Sequence, residues 1–550
     1  MILKTQMPIV SLVLVVLSCI MVCSGEDKDT ATVSPVIKKV HTNISRGLEK
    51  QEKNILILIE TQFIADGTPI IAELVPIDNK TKLVIREQSV LLNNHARISF
   101  PIPKTLDIGH YQFRIFAGSY QKPIASHFDQ TYQVIRPGKR IFYVSSTDGN
   151  DTNDGLSPQK PIKTLQKASE IELKPGESLL LKAGDVWTGE SLFPKGTGTE
   201  DAPITITSYG KGTKPRIIPG IGQQIYGIRL VDVGGYRIIG LEISDCYGGV
   251  VVWTENTYNH RFLWIENCFF HNITGKDTGF CVAFYKNLPP DLLYGTGVMI
   301  AGSDAIGGST LFSDITITKC DFDCCDVGIE LLPRDHDKLG IWDQHQHETV
   351  TCDAYRHITI RDCKIMRSYR TGGVMLYCVR GGVAEHLLID QTGYQEIGMF
   401  WGVAAFQCAR VSDFLIQKCT FSNTIKGKSP DGQGFDFEAD CHRILLKDSR
   451  IIGNDGPAIL FFGGTWKGKN EDNIIDGCFL KDNNRTREFY NNTFAVMHPE
   501  NSGVVRNTTI HLYEENQGFY CNPLKFESSN RVYGPSGKSK FGDETTGKPK

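Results

Sequence analysis

The sharpest chemical signal in the chain is a pair of carboxylates, Asp436 and Glu438, two residues apart in Gly434-Phe435-Asp436-Phe437-Glu438. The alternation of small, aromatic and acidic residues reads as a strand. Positions i and i+2 of a strand project from one face, with Cβ atoms about 6.5–7 Å apart. Two crowded carboxyls push one pKa upward, which leaves an acid beside a base. That is the equipment of glycoside hydrolysis, and the strand spacing favours the separation of about 6.5–9.5 Å used for inversion. Asp431 and Asp440 flank the pair.

Neighbouring segments align with that strand. Gly328-Ile329-Glu330-Leu331-Leu332, Gly373-Val374-Met375-Leu376-Tyr377 and Gly402-Val403-Ala404-Ala405-Phe406 share its glycine-led pattern. Period two turns Ile329, Leu331, Val374, Leu376, Val403, Ala405, Phe435 and Phe437 inward. Glu330, Tyr377, Phe406, Asp436 and Glu438 are expected to face outward. Tyr377, Phe406 and Trp401 offer aromatic faces for sugar rings, and Arg334, His336, Arg370 and Arg380 offer cations for acidic groups. Glu330, Asp440 and His498 are further candidates for substrate contact.

The elements that position these groups come from a repeat. An aliphatic residue, two polar residues, a small residue, any residue and an apolar one recur as Ile265…Cys268…Phe270, Ile317…Cys320…Phe322 and Ile360…Cys363…Ile365. The series continues with Ile389…Thr392…Tyr394, Ile416…Cys419…Phe421, Leu446…Ser449…Ile451, Ile475…Cys478…Leu480 and Val505…Thr508…Ile510. From Cys363 the small residues step by 29, 27, 30, 29 and 30 residues. A unit of short strands cannot bury its own face, so stacking must bury it. The expected fold is all-β: a right-handed parallel β-helix over residues 141–525. The small residues form a buried ladder of reduced cysteines and hydroxyls, and longer steps mark insertions near 273–312 and 333–355.

Residues 33–136 lack the repeat and show separated alternating runs, expected to form an immunoglobulin- or fibronectin-like β-sandwich. Residues 1–25 read as a signal peptide: Lys4, an apolar Ile9–Met21, then Cys23-Ser24-Gly25. Val16-Leu17-Ser18-Cys19 also fits a lipoprotein signal. The protein is therefore expected to be secreted, periplasmic or an outer-surface lipoprotein, with no membrane span. Residues 528–550 are expected to be a flexible tail. The net charge of −3 argues against a nucleic-acid partner.

The stretch Ile141–Trp187, with Asp148-Gly149-Asn150-Asp151, Asp154-Gly155, Lys163-Thr164-Leu165 and Lys182-Ala183-Gly184-Asp185, resembles the opening segment of secreted bacterial β-helix proteins of the pectin-lyase-like superfamily. The resemblance covers about 141–520. It implies a short helix near 164–171 capping the open end of the solenoid and a carbohydrate-active role. The acidic cluster Asp148–Asp154 reads as Asx turns rather than a Ca²⁺ loop, since the acidic twelfth ligand is missing.

The expected function is a monomeric glycoside hydrolase, inverting, acting on a polysaccharide without cofactor or metal. The alternatives are a polysaccharide lyase, with Arg370 or Arg380 as base and Ca²⁺ as helper, and a non-catalytic glycan-binding solenoid. The residue motifs of the polygalacturonase branch are not suitably placed in this chain.

Overall fold

The computed structural model describes residues 36–42, 46–48, 53–62, 64, 66–77, 85–92, 95–103, 106, 109–118, 131–220, 226–254, 259–275, 295–302, 310–333, 354–369, 372–394, 402–427, 429, 431–464, 468–487, 492–519 and 522–539. The signal and lipoprotein readings lie outside those residues, as do Arg334, His336, Arg370 and Trp401.

The chain divides into two compact units, the second beginning at residue 133 apart from two short pieces, 46–51 and 103–109. In the first unit, Val36–Thr42, Lys53–Gln62 and His95–Ile102 form an antiparallel sheet. Pro69–Pro76 pairs antiparallel with Ile85–Val90 and with Gly109–Ala117. Phe100 of the first set meets Phe113 of the second edge to face, with ring centroids 5.6 Å apart. Alternating burial along Gly109–Ala117 agrees with the period-two reading.

The second unit is a parallel solenoid whose coils repeat three faces. Face A runs from Ile141–Val144 and Ser178–Lys182 to Asn473–Asp476 and Gly503–Arg506. Face C is a twelve-stranded sheet from Val186–Thr188 to Arg531–Tyr533. Face B comprises Tyr226–Val231, Gly248–Thr254, Thr296–Gly302, Val327–Pro333, the first halves of Gly372–Glu385 and Ala404–Gln417, then Gln433–Ala439, Ile459–Phe461 and Phe494–Val496. The two 14-residue strands pass from face B to face A around left-handed residues, Cys378 (φ 57°) and Arg410 (φ 54°). Parallel crossovers of this kind are right-handed with few exceptions.

The repeat motif marks the corner between faces A and C. The residue before each small ladder residue is left-handed: Asn267, Lys319, Asp362, Lys418, Asp448 and Asn507 have φ of 48–54°. The chain turns there, and the next side chain, Cys268, Cys320, Cys363, Cys419, Ser449 or Thr508, drops into the core at 1% exposure or less. Those cysteines are free, as the ladder reading requires. Cys378, off the ladder, is disulfide-bonded.

Two copies of the motif are misread. Ile243-Ser244-Asp245-Cys246, which the sequence reads as the first copy, lies on face C with Ile243 level with Phe270 and Cys246 with Ile273. In the coil of Ile389…Thr392 the ladder position is Leu387, after His386 (φ 55°), because Leu388 is level with Thr420. Thr392 follows Gln391 (φ 58°) at the next corner, where it stacks with Thr424 and Asn454. Both corners need a left-handed residue followed by a small buried one, so local sequence cannot tell them apart. Earlier coils place Cys246, Ile273 and Cys325 at this second corner, and later coils place asparagines there. Asn454 accepts from Thr424 N–H at 2.9 Å, and its amide donates to Asn483 Oδ1 at 2.7 Å. Buried amides stacked in this way satisfy backbone groups that a turn leaves open.

The solenoid also outruns the expected boundary at 525. Arg531–Tyr533 pairs with Thr509–His511, so the start of the predicted tail is part of face C. At the other end, a helix at Leu165–Ala168 starts at Thr164, whose hydroxyl accepts from Lys167 N–H. Asp151 accepts from the Lys163 and Thr164 amides and the Thr164 hydroxyl, and Asp154 from the Leu156 amide. The Asp154 contact is an Asx turn, whereas Asp151 reaches twelve and thirteen residues along the chain and ties the loop to the start of the helix.

Candidate active site

The site is built on the outer side of face B, and a row of glycines sets its shape. Gly249, Gly297, Gly328, Gly373 and Gly434 lie over the core side chains of face C. A Cβ at Gly434 would stand 2.3 Å from Ile451 Cγ2, and one at Gly373 2.4 Å from Ile389 Cγ2. Only hydrogen fits, so the start of face B packs tightly on face C and the outward positions beyond it turn to a common side.

Register then fixes the outward rows. Glu330, Met375, Gln407 and Asp436 lie side by side on consecutive rungs. Tyr377 is level with Ala409 in the second outward row. There the pairing slips, because Cys408 is level with Phe437 but Ala409 with Ala439, leaving Glu438 as an extra residue. Such a bulge re-aims a side chain beside a functional site. It also releases the carboxyl separation from the ideal strand rise.

Asp436 is 1% exposed, Glu438 7% and Asp431 9%. Gln433 Nε2 donates to Asp436 Oδ2 at 3.3 Å, while Asp436 Oδ1 has no hydrogen-bond partner. Asp431 accepts from the Gly402 amide and, at 3.4 Å, from the Ser429 hydroxyl. On the adjoining rung Tyr377 Oη donates to Gln407 Oε1 at 3.2 Å.

The electrostatics follow from burial among like charges. Desolvation first, then the negative charges of Glu438 and Asp431, holds the Asp436 carboxyl well above the usual carboxylate range. Burial raises Asp431 to about 6 against the opposing Gly402 amide, with the charge of Glu438 adding to the rise. The arrangement can deliver a proton from one carboxyl and accept one on another at neutral pH. Among the described residues no three His, Cys, Asp or Glu side chains converge to hold a metal ion.

The structure therefore brings Asp431, Asp436 and Glu438 together and places Tyr377 and Glu330 on the same face. It corrects Phe406, which is 0% exposed and points inward, stacked on Phe435 at 5.5 Å. The aligned glycine of that coil is not Gly402. Ala405 takes the place beside Gly434, which moves Phe406 level with Phe435 and makes Gln407 the outward residue. Asp440 turns the corner at φ 51° and accepts from His442 Nε2 at 2.8 Å, raising the His442 pKa; it stands outside the carboxyl cluster. His498 packs at the same corner farther along the solenoid, where a Cβ on Gly464 would meet its ring at 2.6 Å. Arg380 stands on face A beside Asp413 at 3.5 Å, away from the pair. Sequence reasoning missed Gln407 and Gln433. The signal for Gln407 was the rule that the bulky apolar residue after the glycine row faces the core.

No protein-family model matches the chain. Over 72 residues it is 46% identical to the lacto-N-biosidase of Bifidobacterium longum subsp. longum, a stretch that covers 12% of this chain and 4% of that protein. Over 84 residues it is 27% identical to alpha-1,3-galactosidase A of Akkermansia muciniphila, covering 15% of this chain and 14% of the relative. The chain thus spans a small part of either curated relative. The crystal structure of a GH136 lacto-N-biosidase from Eubacterium ramulus superposes with a TM-score of 0.52 at 15% identity, covering 70% of this chain and 68% of that one. That likeness is one of fold, a parallel β-helix of the kind found in carbohydrate-active proteins.

Proposed function

We propose that the protein is a glycoside hydrolase acting on a complex glycan outside the cytoplasm, with Asp436 as general acid and Glu438 as its partner carboxylate. The observation that carries this reading is the buried carboxyl cluster on outer face B, in which burial and like charges hold Asp436 well above the usual carboxylate range. The names of the relatives support it and set the first substrates to try, lacto-N-biosides and α-1,3-galactosides.

In the proposed reaction Asp436 gives its proton to the glycosidic oxygen as the bond to the anomeric carbon breaks. Glu438 either takes a proton from the attacking water or itself attacks that carbon, and Asp431 holds negative charge nearby. Gln407 on the next rung and Tyr377 on the one beyond are placed to bond sugar hydroxyls. Inversion needs carboxyls about 6.5–9.5 Å apart and retention about 5–5.5 Å. Strand rise favours the first; the bulge at Glu438 frees the pair from that rise and leaves the second open. The anomer formed first, followed by proton NMR, distinguishes them. We read the N-terminal unit as a non-catalytic immunoglobulin- or fibronectin-like module, and the enzyme as a monomer.

The test is a glycan digestion panel with the wild type, Asp436→Asn and Glu438→Gln, following reducing ends and the ultraviolet absorbance of unsaturated products. Hydrolysis predicts new reducing ends without absorbance and a loss of about 10²–10⁴-fold in each variant. Absorbance that survives both substitutions would replace this reading with a lyase. Binding without cleavage across the panel would replace it with a glycan-binding solenoid.

A further inference from the structure

Outer face B carries another buried carboxyl at a distance from the proposed acid. Glu330 is 1% exposed, on the same outward row as Asp436 and three rungs from it. At a strand spacing of about 4.8 Å the two lie roughly 14 Å apart, farther than one pyranose ring reaches. Its rung neighbours are Met299 and Met375, both buried. Thr296 Oγ1, on the preceding coil, donates to Glu330 Oε2 at 3.2 Å.

Packing does not call for a carboxyl at this position. Val251, Met299, Met375, Leu460 and Ala495 fill the same row on other coils, and all are buried. A buried carboxyl costs stability where an apolar side chain does not. On faces A and C, by contrast, outward carboxylates meet cations from the next coil, as Glu266 meets Lys319 at 2.9 Å and Asp476 meets Arg506 at 2.9 Å. A carboxyl kept between two buried methionines marks a place for recognition rather than for stability.

We propose that Glu330, backed by Thr296, is a hydrogen-bonding subsite for a sugar residue remote from the cleaved bond, so that the substrate class is an oligosaccharide lying across the rungs of face B. The subsite rests on the hydrolase reading for the position of the cleaved bond; its binding role stands separately. Burial holds the Glu330 carboxyl protonated up to about 7. Near neutrality it can therefore donate to a hydroxyl or N-acetyl oxygen while Thr296 fixes its other oxygen. Any class of glycan with such an oxygen at that distance satisfies the geometry, which makes length the first discriminator.

The experiment measures calorimetric affinities of the full chain for free lacto-N-biose and for tetra- and pentasaccharides that carry it at one end. It compares Asp436→Asn, used to prevent turnover, with the double variants that add Glu330→Leu or Glu330→Gln. Leucine is chosen because Leu460 already occupies this row, and thermal melts with near-ultraviolet circular dichroism check the fold. The expected result is a loss of affinity at least about tenfold larger for the pentasaccharide than for the disaccharide in Glu330→Leu, with Glu330→Gln retaining part of it. Equal losses for both lengths, no loss for either, or no binding of any oligosaccharide before the Glu330 change would overturn the subsite. Hydrolysis by the wild type without this length contrast sinks the subsite alone. The contrast without hydrolysis sinks the enzymatic reading alone.

Discussion

Faces A and B are made by the same coils and treat their acidic residues in opposite ways. On face A, carboxylates pair with cations from a neighbouring coil: Glu266 with Lys319 at 2.9 Å, Glu385 with Arg361 at 2.7 Å, Asp413 with Arg443 at 2.6 Å. The Lys319 bond holds Glu266 below its ordinary range. The Gln417 amide, then Arg361, does the same for Glu385, and Arg443 for Asp413. On and beside face B, Asp431, Asp436 and Glu330 meet neutral donors and are pushed upward by burial. Inter-coil pairs knit a solenoid together along its axis. Carboxyls denied such pairs hold protons instead, and the direction of the shift tells structural from chemical acids.

Several substitutions can break or sharpen that contrast. The largest effect is the loss of turnover in the Asp436 and Glu438 variants, which no face A substitution should reproduce. Next is Gly434→Val. Its Cβ would meet Ile451 Cγ2 at 2.3 Å and the Asn454 amide at 2.9 Å, so face B must lift from face C. A loss of about 1–3 kcal/mol is expected in denaturant melts. Tolerance of valine there would remove the glycine row as the device that shapes the site.

Asp431→Asn should instead stabilise the fold. The folded pKa of about 6 lies above the unfolded value of about 3.9. Between them the native state holds more protons than the unfolded chain, so the wild type loses stability as pH rises through that window. The variant should gain about 1–3 kcal/mol at pH 8 and nothing at pH 3. A gain independent of pH would mean that Asp431 is not held protonated by burial. The smallest effect is Asp413→Asn on face A. The pair is half-exposed, so less than about 1 kcal/mol should be lost, in the opposite direction and diminished by salt. A large loss would place more of the solenoid's stability in its surface pairs than face A implies.

The fold was legible where geometry is local and repeated. A strand must alternate, so Phe435 and Phe437 had to face the core if Asp436 did not. The ladder cysteines follow a left-handed corner in almost every coil, which fixes their burial from sequence. The reading failed where two local answers look alike. Thr392 sits at a corner that uses the same left-handed-then-small pattern as the cysteine ladder. Gly402 imitates the glycine row, so a slip of three residues, an odd number that reverses the faces, turned Phe406 outward and hid Gln407. The bulge at Glu438 had no local signature, because it arises from how Ala409 and Ala439 pair across coils. The carboxyl pair was visible as residues two apart; its near-complete burial was not, since that depends on the coils around it and on Asp431 and Gln433 lying beside Asp436.

The most direct test of the central claim is an infrared titration of carboxyl stretching bands at neutral pH, comparing wild type with Asp436→Asn. Face B as described predicts a protonated-carboxyl band in the wild type at pH 7 that is lost or displaced in the variant. A wild type with no such band, or a band indifferent to Asp436, would contradict a face B acid poised to donate its proton.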